Sequence, residues 1–154
     1  MHENETAGVV APPPLIFGAA ILLGALLQRL APLPFLPDGL ARSLGVGVSA
    51  LGVFLFVWAV VTMTRARTPV PTRRATKRIV THGPYRFTRN PIYLAFSLIQ
   101  IGLACAYDAV WVLITLALAL VVMNAGVISR EERYLTRRFG KTYTDYRARV
   151  RRWI

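Results

Sequence analysis

Four long apolar segments divide this 154-residue chain and restrict what it can fold into. They span residues 15–30, 40–64, 92–107 and 110–128. A bilayer core about 30 Å thick needs about 20 helical residues, with about 17–25 the usual range. The second and fourth segments meet this length, whereas the first and third need flanking residues or local thinning of the bilayer. The pattern predicts an all-α integral membrane protein with about four transmembrane helices.

Basic residues are concentrated in two regions beside these segments, and the formal net charge is +12. Eight of the 19 Lys and Arg residues lie in residues 65–89, and nine lie from residue 129 onwards. Because cytoplasmic loops collect Lys and Arg, both regions and both termini are predicted to face the cytoplasm from the inner cell membrane. The charge also favours contact with anionic lipid headgroups. No nucleic-acid motif accompanies it, so nucleic acid is not an expected partner.

The chain is predicted to form one membrane domain over residues 1–154. Residues 1–64 form its N-terminal two-helix part, and residues 65–154 form a module with a helical hairpin and a tail. In the tail, apolar residues recur at spacings of three and four, which predicts C-terminal amphipathic cytoplasmic helices lying in the membrane interface. Small residues such as Gly45 and Gly52 permit close helix packing, within the chain or between chains.

The most informative stretch is a polar block between the second and third apolar segments. Gly83-Pro84 and Asn90-Pro91 are turn signals, because Pro pushes the preceding residue out of the helical region. Pro91 also suits the first turn of the helix that follows. These turns are predicted to hold His82, Tyr85, Arg89 and Asn90 together at the mouth of a buried helix. A basic, solvated connector between spans is the alternative interpretation of the same composition.

Two adjacent carboxylates, Glu131 and Glu132, follow the last apolar segment. A carboxylate near a bilayer boundary normally has a partner or a ligand. We expect Arg89 to be the partner, and a sulfonium or amine to be the ligand. The spacing alone does not choose between these roles.

The two blocks together resemble a known family, the isoprenylcysteine carboxyl methyltransferases, which are similar in turn to the membrane phospholipid N-methyltransferases. The resemblance covers about residues 78–154. It is carried by these fragments: Gly83-Pro84-Tyr85, Arg89-Asn90-Pro91-x-Tyr93, Glu131-Glu132-x-x-Leu135, Phe139-Gly140-x-x-Tyr143-x-x-Tyr146 and Val150-x-Arg152-Trp153.

The resemblance implies a membrane enzyme that binds S-adenosylmethionine without a Rossmann domain and transfers its methyl group to a lipophilic acceptor. That acceptor would be a prenylcysteine-like carboxylate or a lipid headgroup amine. Arg89 would orient it, and Glu132 would act as the base for an amine. No metal is implied. The implied cofactor-binding residues are His82, Gly83, Pro84, Tyr85, Asn90, Pro91, Tyr93, Glu131, Tyr143 and Tyr146.

Alternatives remain open at this stage. Eukaryotic carboxyl methyltransferases generally have His in place of Asn90 and Pro in place of Arg151, so a prenylated cysteine is not required as the substrate. Membrane sterol reductases resemble the same module and hold NADPH, whose extra phosphate could contact Arg86, Arg89 or Arg147. A small non-enzymatic protein that binds anionic lipid is the third interpretation. The sequence does not indicate the oligomeric state.

Overall fold

The computed structural model describes residues 8–37, 39–69 and 76–154, and all regular structure in these ranges is helical. The four predicted apolar segments correspond to four helices, α1 (Pro13–Leu30), α2 (Leu40–Arg65), α3 (Pro91–Ala106) and α4 (Val110–Val122). The predicted helical class is therefore confirmed for the described residues.

The expected count of four spans is not confirmed. Among the described residues, three helices are long and apolar enough to cross a membrane: Pro13–Leu30, Leu40–Arg65 and the continuous stretch Val110–Phe139. Helix α3 is apolar but has only 16 residues, because it begins at Pro91 and ends at the turn before α4.

Large apolar side chains cover the outside of the bundle. Leu22, Phe54 and Val121 are 73%, 63% and 67% exposed, and they belong to three different helices. Exposed apolar surface on this scale marks contact with lipid or with another protein. The architecture is that of a helical membrane protein.

Helix α4 continues into α5 (Ser129–Phe139) through a π-helical segment, Met123–Ile128. A π turn inserts extra chain into a helix and changes the direction in which the following side chains project. Met123, Val127 and Ile128 are completely buried, so packing against the core stabilises this segment. The result is that Glu132 lies on the buried side of α5.

A last helix, α6 (Lys141–Arg149), follows α5 after Gly140. Gly140 has φ of +50°, a left-handed value that glycine tolerates, and it separates α5 from α6. Two helices are therefore present in the predicted tail. Their location in the membrane interface stays a prediction.

Helices α2 and α3 approach each other closely through small residues. A Cβ atom added to Gly52 would lie 2.8 Å from the backbone N of Ile99 and 3.0 Å from the carbonyl O of Ala95. Gly45 and Gly102 face the partner helix with even less space. Packing of this kind drives helix association in lipid, where the hydrophobic effect does not.

Hydrogen bonds fasten the end of the bundle that carries the α1–α2 loop and the α3–α4 turn. Oδ1 of Asp108 accepts from the backbone N–H groups of Phe35 and Leu36 at 2.7 and 2.9 Å. Trp111 donates its ring N–H to the carbonyl of Ala31 at 2.7 Å. At the opposite end of the bundle, the start of α1, residues 76–90 and the tail lie close together.

We expect Gly52→Ala to destabilise the protein, because the added methyl would meet backbone atoms that cannot move aside. Overpacking of this type typically costs about 1–3 kcal/mol. Thermal unfolding in detergent measures the effect. Gly47→Ala is the matched control, since a Cβ there has no neighbour within 4 Å. Equal unfolding midpoints for the two variants would contradict the close contact.

Candidate functional site

The first part of the site is a 3₁₀ turn, Gly83–Arg86, which precedes α3. Gly83 has φ of +61°, and a Cβ atom there would lie 2.8 Å from Oγ1 of Thr62. Both facts favour glycine at this position. Tyr146 of α6 donates its hydroxyl to the carbonyl of Tyr85 at 2.6 Å, in a buried hydrogen bond. The tail is thus attached directly to the turn.

The second part is the segment after α6, residues 150–153, which we call the C-terminal strap. The carbonyl of Arg151 accepts from the backbone N–H of Arg89 at 3.0 Å. The carbonyl of Arg152 accepts from Oγ1 of Thr88 at 3.1 Å and from Nδ2 of Asn90 at 2.9 Å. Three consecutive residues of the polar block therefore bind the strap.

A buried ionic cluster lies between these parts. Glu132, whose side chain is 9% exposed, has Nη1 of Arg89 at 3.1 Å from its Oε1. Arg152 donates from Nε to the same oxygen at 3.0 Å and from Nη2 to Oε2 at 2.7 Å. The expected pairing of Arg89 with a tail carboxylate is confirmed. The contribution of Arg152 was not anticipated.

Glu131 has a different environment although it is adjacent in sequence. Tyr93 of α3 donates its hydroxyl to Oε1 of Glu131 at 2.7 Å. A neutral hydroxyl donor therefore faces one carboxylate, whereas two guanidinium groups face the other. The two glutamates cannot be equivalent in chemistry.

Arg89, Glu131 and Glu132 border a cavity of about 390 Å³. This volume lies in the range of about 300–1,000 Å³ that is typical of small-molecule sites. Nine predicted site residues are among those that line it: Tyr85, Arg89, Asn90, Pro91, Tyr93, Glu131, Glu132, Tyr143 and Tyr146. His82, Gly83 and Pro84 lie in the adjacent turn but not in the lining, and His82 is exposed. Their cofactor contacts stay a prediction.

The cavity has further lining residues that the sequence analysis did not identify. Most are apolar residues of the helices, together with residues beside the polar block: Pro12, Pro13, Pro14, Phe56, Met63, Thr68, Pro69, Thr76, Arg78, Ile79, Val80, Ile92, Phe96, Ile128, Tyr134 and Leu135. Phe56 and Met63 are seven residues apart and therefore share one helix face. That spacing does not stand out in a continuous apolar run.

Several buried polar atoms at the cavity have no hydrogen-bond partner among the described residues. They are the hydroxyl oxygens of Thr68, Tyr85 and Tyr134 and two guanidinium nitrogens of Arg89, Nε and Nη1. Burial raises the pKa of the Tyr85 hydroxyl, so this group stays protonated and can donate. Buried polar groups are normally paired, so these atoms are available to bind water or the polar groups of a ligand.

Within the described ranges, no cluster of three or more His, Cys, Asp or Glu side chains is placed to hold a metal ion. The arrangement defines a helical membrane protein with a partly open cavity at one end of its bundle.

Sequence comparison identifies the family. The profile of the phospholipid methyltransferase family matches residues 40–142, so the chain belongs to that family. The matched region includes α2, the polar block and α5, and it ends before Tyr143 and the C-terminal strap.

Two curated proteins are similar to half of the chain. One is the cobalt-zinc-cadmium resistance protein CzcN of Cupriavidus metallidurans, 34% identical over 77 residues, which cover 50% of this chain and 35% of that protein. The other is the nickel-cobalt-cadmium resistance protein NccN of Alcaligenes xylosoxydans xylosoxydans, 33% identical over 77 residues, which cover 50% and 36%. The aligned part thus spans about a third of the length of these relatives.

Tyr146→Phe tests whether α6 is held on the turn as described. Loss of its hydroxyl leaves the buried carbonyl of Tyr85 without that donor, which costs about 1–3 kcal/mol. We expect a lower midpoint of thermal unfolding in detergent. Tyr107→Phe removes the same atom from a side chain that is 76% exposed and serves as the control. An unchanged midpoint for Tyr146→Phe would show that this bond does not attach the tail.

Proposed function

We propose that this protein transfers a methyl group from S-adenosylmethionine to a lipophilic acceptor at the cytoplasmic face of the inner membrane. The main observation is that one cavity joins the two motif blocks to apolar side chains of the helices. Arg89 and Glu131 contribute to its polar part, and Phe56 and Phe96 contribute to its apolar part. A site of this composition suits a polar cofactor and an acceptor that enters from the lipid.

The lining residues fit the proposed cofactor. Bound S-adenosylmethionine supplies a methyl group carried on a sulfonium cation. The carboxylate of Glu131 and the tyrosine rings around it attract such a cation through charge and through the faces of the aromatic rings. The unpaired hydroxyl groups of Tyr85 and Tyr134 can donate to polar atoms of the same molecule.

Arg89 is suited to hold an anionic acceptor. Its side chain is 10% exposed, its Nε has no hydrogen-bond partner among the described residues, and its Nη1 is in an ion pair with Glu132. A planar guanidinium with donors left over binds a carboxylate or phosphate in a defined orientation. Orientation alone can account for about 7–11 kcal/mol of a barrier when two reactants are held in line.

An amine acceptor would need a base, and the geometry favours Glu131 over the expected Glu132. Both oxygens of Glu132 are occupied by guanidinium groups. The bond from Tyr93 reaches only Oε1 of Glu131, which leaves Oε2 as an acceptor. A proton can therefore be taken up at Glu131 Oε2 without breaking an ion pair.

The reductase alternative is less well supported. Of the three arginines that the NADPH phosphate could contact, Arg89 lines the cavity, whereas Arg86 and Arg147 are exposed and do not line it. The names of the two relatives refer to metal resistance of those longer proteins and do not indicate a methyl acceptor for this chain.

Methyl transfer from labelled S-adenosylmethionine tests the proposal. Purified protein in liposomes is supplied with bacterial lipid extract or with a prenylated cysteine analogue, and the labelled product is identified. We expect Arg89→Ala to lower kcat by about 10²–10³-fold, as for the loss of one preorganised hydrogen-bond donor. Affinity for S-adenosylhomocysteine should change little.

Arg86→Ala is the matched control, because Arg86 is exposed and lies over the ring of Phe87, with 4.4 Å between the guanidinium carbon and the ring centre. It should retain full turnover. Equal kcat values for Arg89→Ala and the unchanged protein would contradict the proposed role of Arg89 in orienting the acceptor. Absence of labelled product with every acceptor would contradict methyl transfer itself.

A further inference from the structure

We infer that Arg152 is a positioning residue for Arg89 and that it acts through the carboxylate that the two share. The inference rests on the proposed function, since it assigns Arg89 to the acceptor. It concerns how the fold keeps Arg89 available for that task.

The geometry shows an unequal division of one carboxylate between two arginines. Arg152 forms two hydrogen bonds to Glu132, at 3.0 and 2.7 Å, and so binds both oxygens. Arg89 reaches one oxygen through one nitrogen, at 3.1 Å, without the alignment of a hydrogen bond. Arg152 is therefore the principal partner of Glu132, and Arg89 is a secondary one.

This division has a consequence for Arg89. A buried carboxylate with an unpaired oxygen is costly, so it turns to the nearest donor. Without Arg152, the nearest guanidinium is that of Arg89, and an arginine and a carboxylate form a two-point pair readily. Glu132 would then bind Arg89 through both oxygens, and the N–H groups of Arg89 would no longer be free to bind the acceptor. Arg152 prevents this by satisfying Glu132 first.

The main chain of Arg152 fixes the position of its side chain. Its carbonyl accepts from Thr88 and Asn90, the two residues that flank Arg89 in sequence. Arg152 therefore contacts the neighbours of Arg89 through its backbone and the partner of Arg89 through its side chain. The hydrogen bonds to Glu132 raise the pKa of Arg152, so the guanidinium stays charged.

The test uses Arg152→Ala and Arg152→Lys in the full-length protein. Lysine keeps the charge but cannot form the two-point pair. We expect kcat to fall about 10–100-fold in Arg152→Ala and less in Arg152→Lys, with S-adenosylhomocysteine affinity within about threefold of the unchanged protein. The double variant Arg89→Ala/Arg152→Ala should be no slower than Arg89→Ala alone, because residues that act through one contact are not additive.

Arg149→Ala is the control, since Arg149 is exposed and its Nε donates only to a carbonyl of its own helix. Its kcat should be unchanged. A full, additive loss in the double variant would overturn the inference, because a strap that only stabilises the fold would act independently of Arg89. So would an unchanged kcat in both Arg152 variants.

A second readout does not need turnover. The ¹⁵Nε–H resonance of Arg89, assigned by its loss in Arg89→Lys, reports the hydrogen bonding of that nitrogen in the detergent-solubilised protein. It should shift in both Arg152 variants and stay in place in Arg149→Ala. A resonance that is unchanged in all variants would overturn the inference. If the unchanged protein transfers no methyl group but the resonance shifts as expected, the proposed function fails and the positioning contact stands.

Discussion

The ionic cluster at Glu132 is the interaction on which the rest of the site depends. It joins α5 and the C-terminal strap to the polar block, which precedes both in sequence by the whole of α3 and α4. A buried charge without partners costs several kcal/mol, so Glu132 requires both arginines within reach. This requirement sets the strap against residues 88–90, beside the cavity that Arg89 and Glu132 line.

The apolar helices give that cluster its position. The glycine contacts between α2 and α3 bring two helices close enough for the ends of both to border one cavity. The π-helical segment then turns α5 so that Glu132 is on the buried side. A membrane bundle thus provides a polar site at one end with an apolar surface directly beside it, which is the environment that a polar cofactor and a lipophilic acceptor require together.

Much of this arrangement could be predicted from the sequence. The apolar runs predicted the four helices, and Gly-Pro and Asn-Pro predicted the turns. The pairing of Arg89 with a tail glutamate was expected from the position of the glutamates at the end of the last apolar segment. The remaining features depend on tertiary register. The bidentate pair of Arg152 and the use of the Asn90 amide by the strap each follow from where one residue of the tail meets the polar block. Periodicity carries no such information. The short length of α3 follows from its Pro91 start and the early turn before α4.

The central claim is that the two motif blocks form one cofactor site. Calorimetric titration of the detergent-purified protein with S-adenosylhomocysteine, and separately with NADPH, tests it most directly. We predict saturable binding of S-adenosylhomocysteine at one site per chain and no binding of NADPH. Binding of NADPH alone would assign the cavity to a reductase, and binding of neither would contradict a cofactor site at this position.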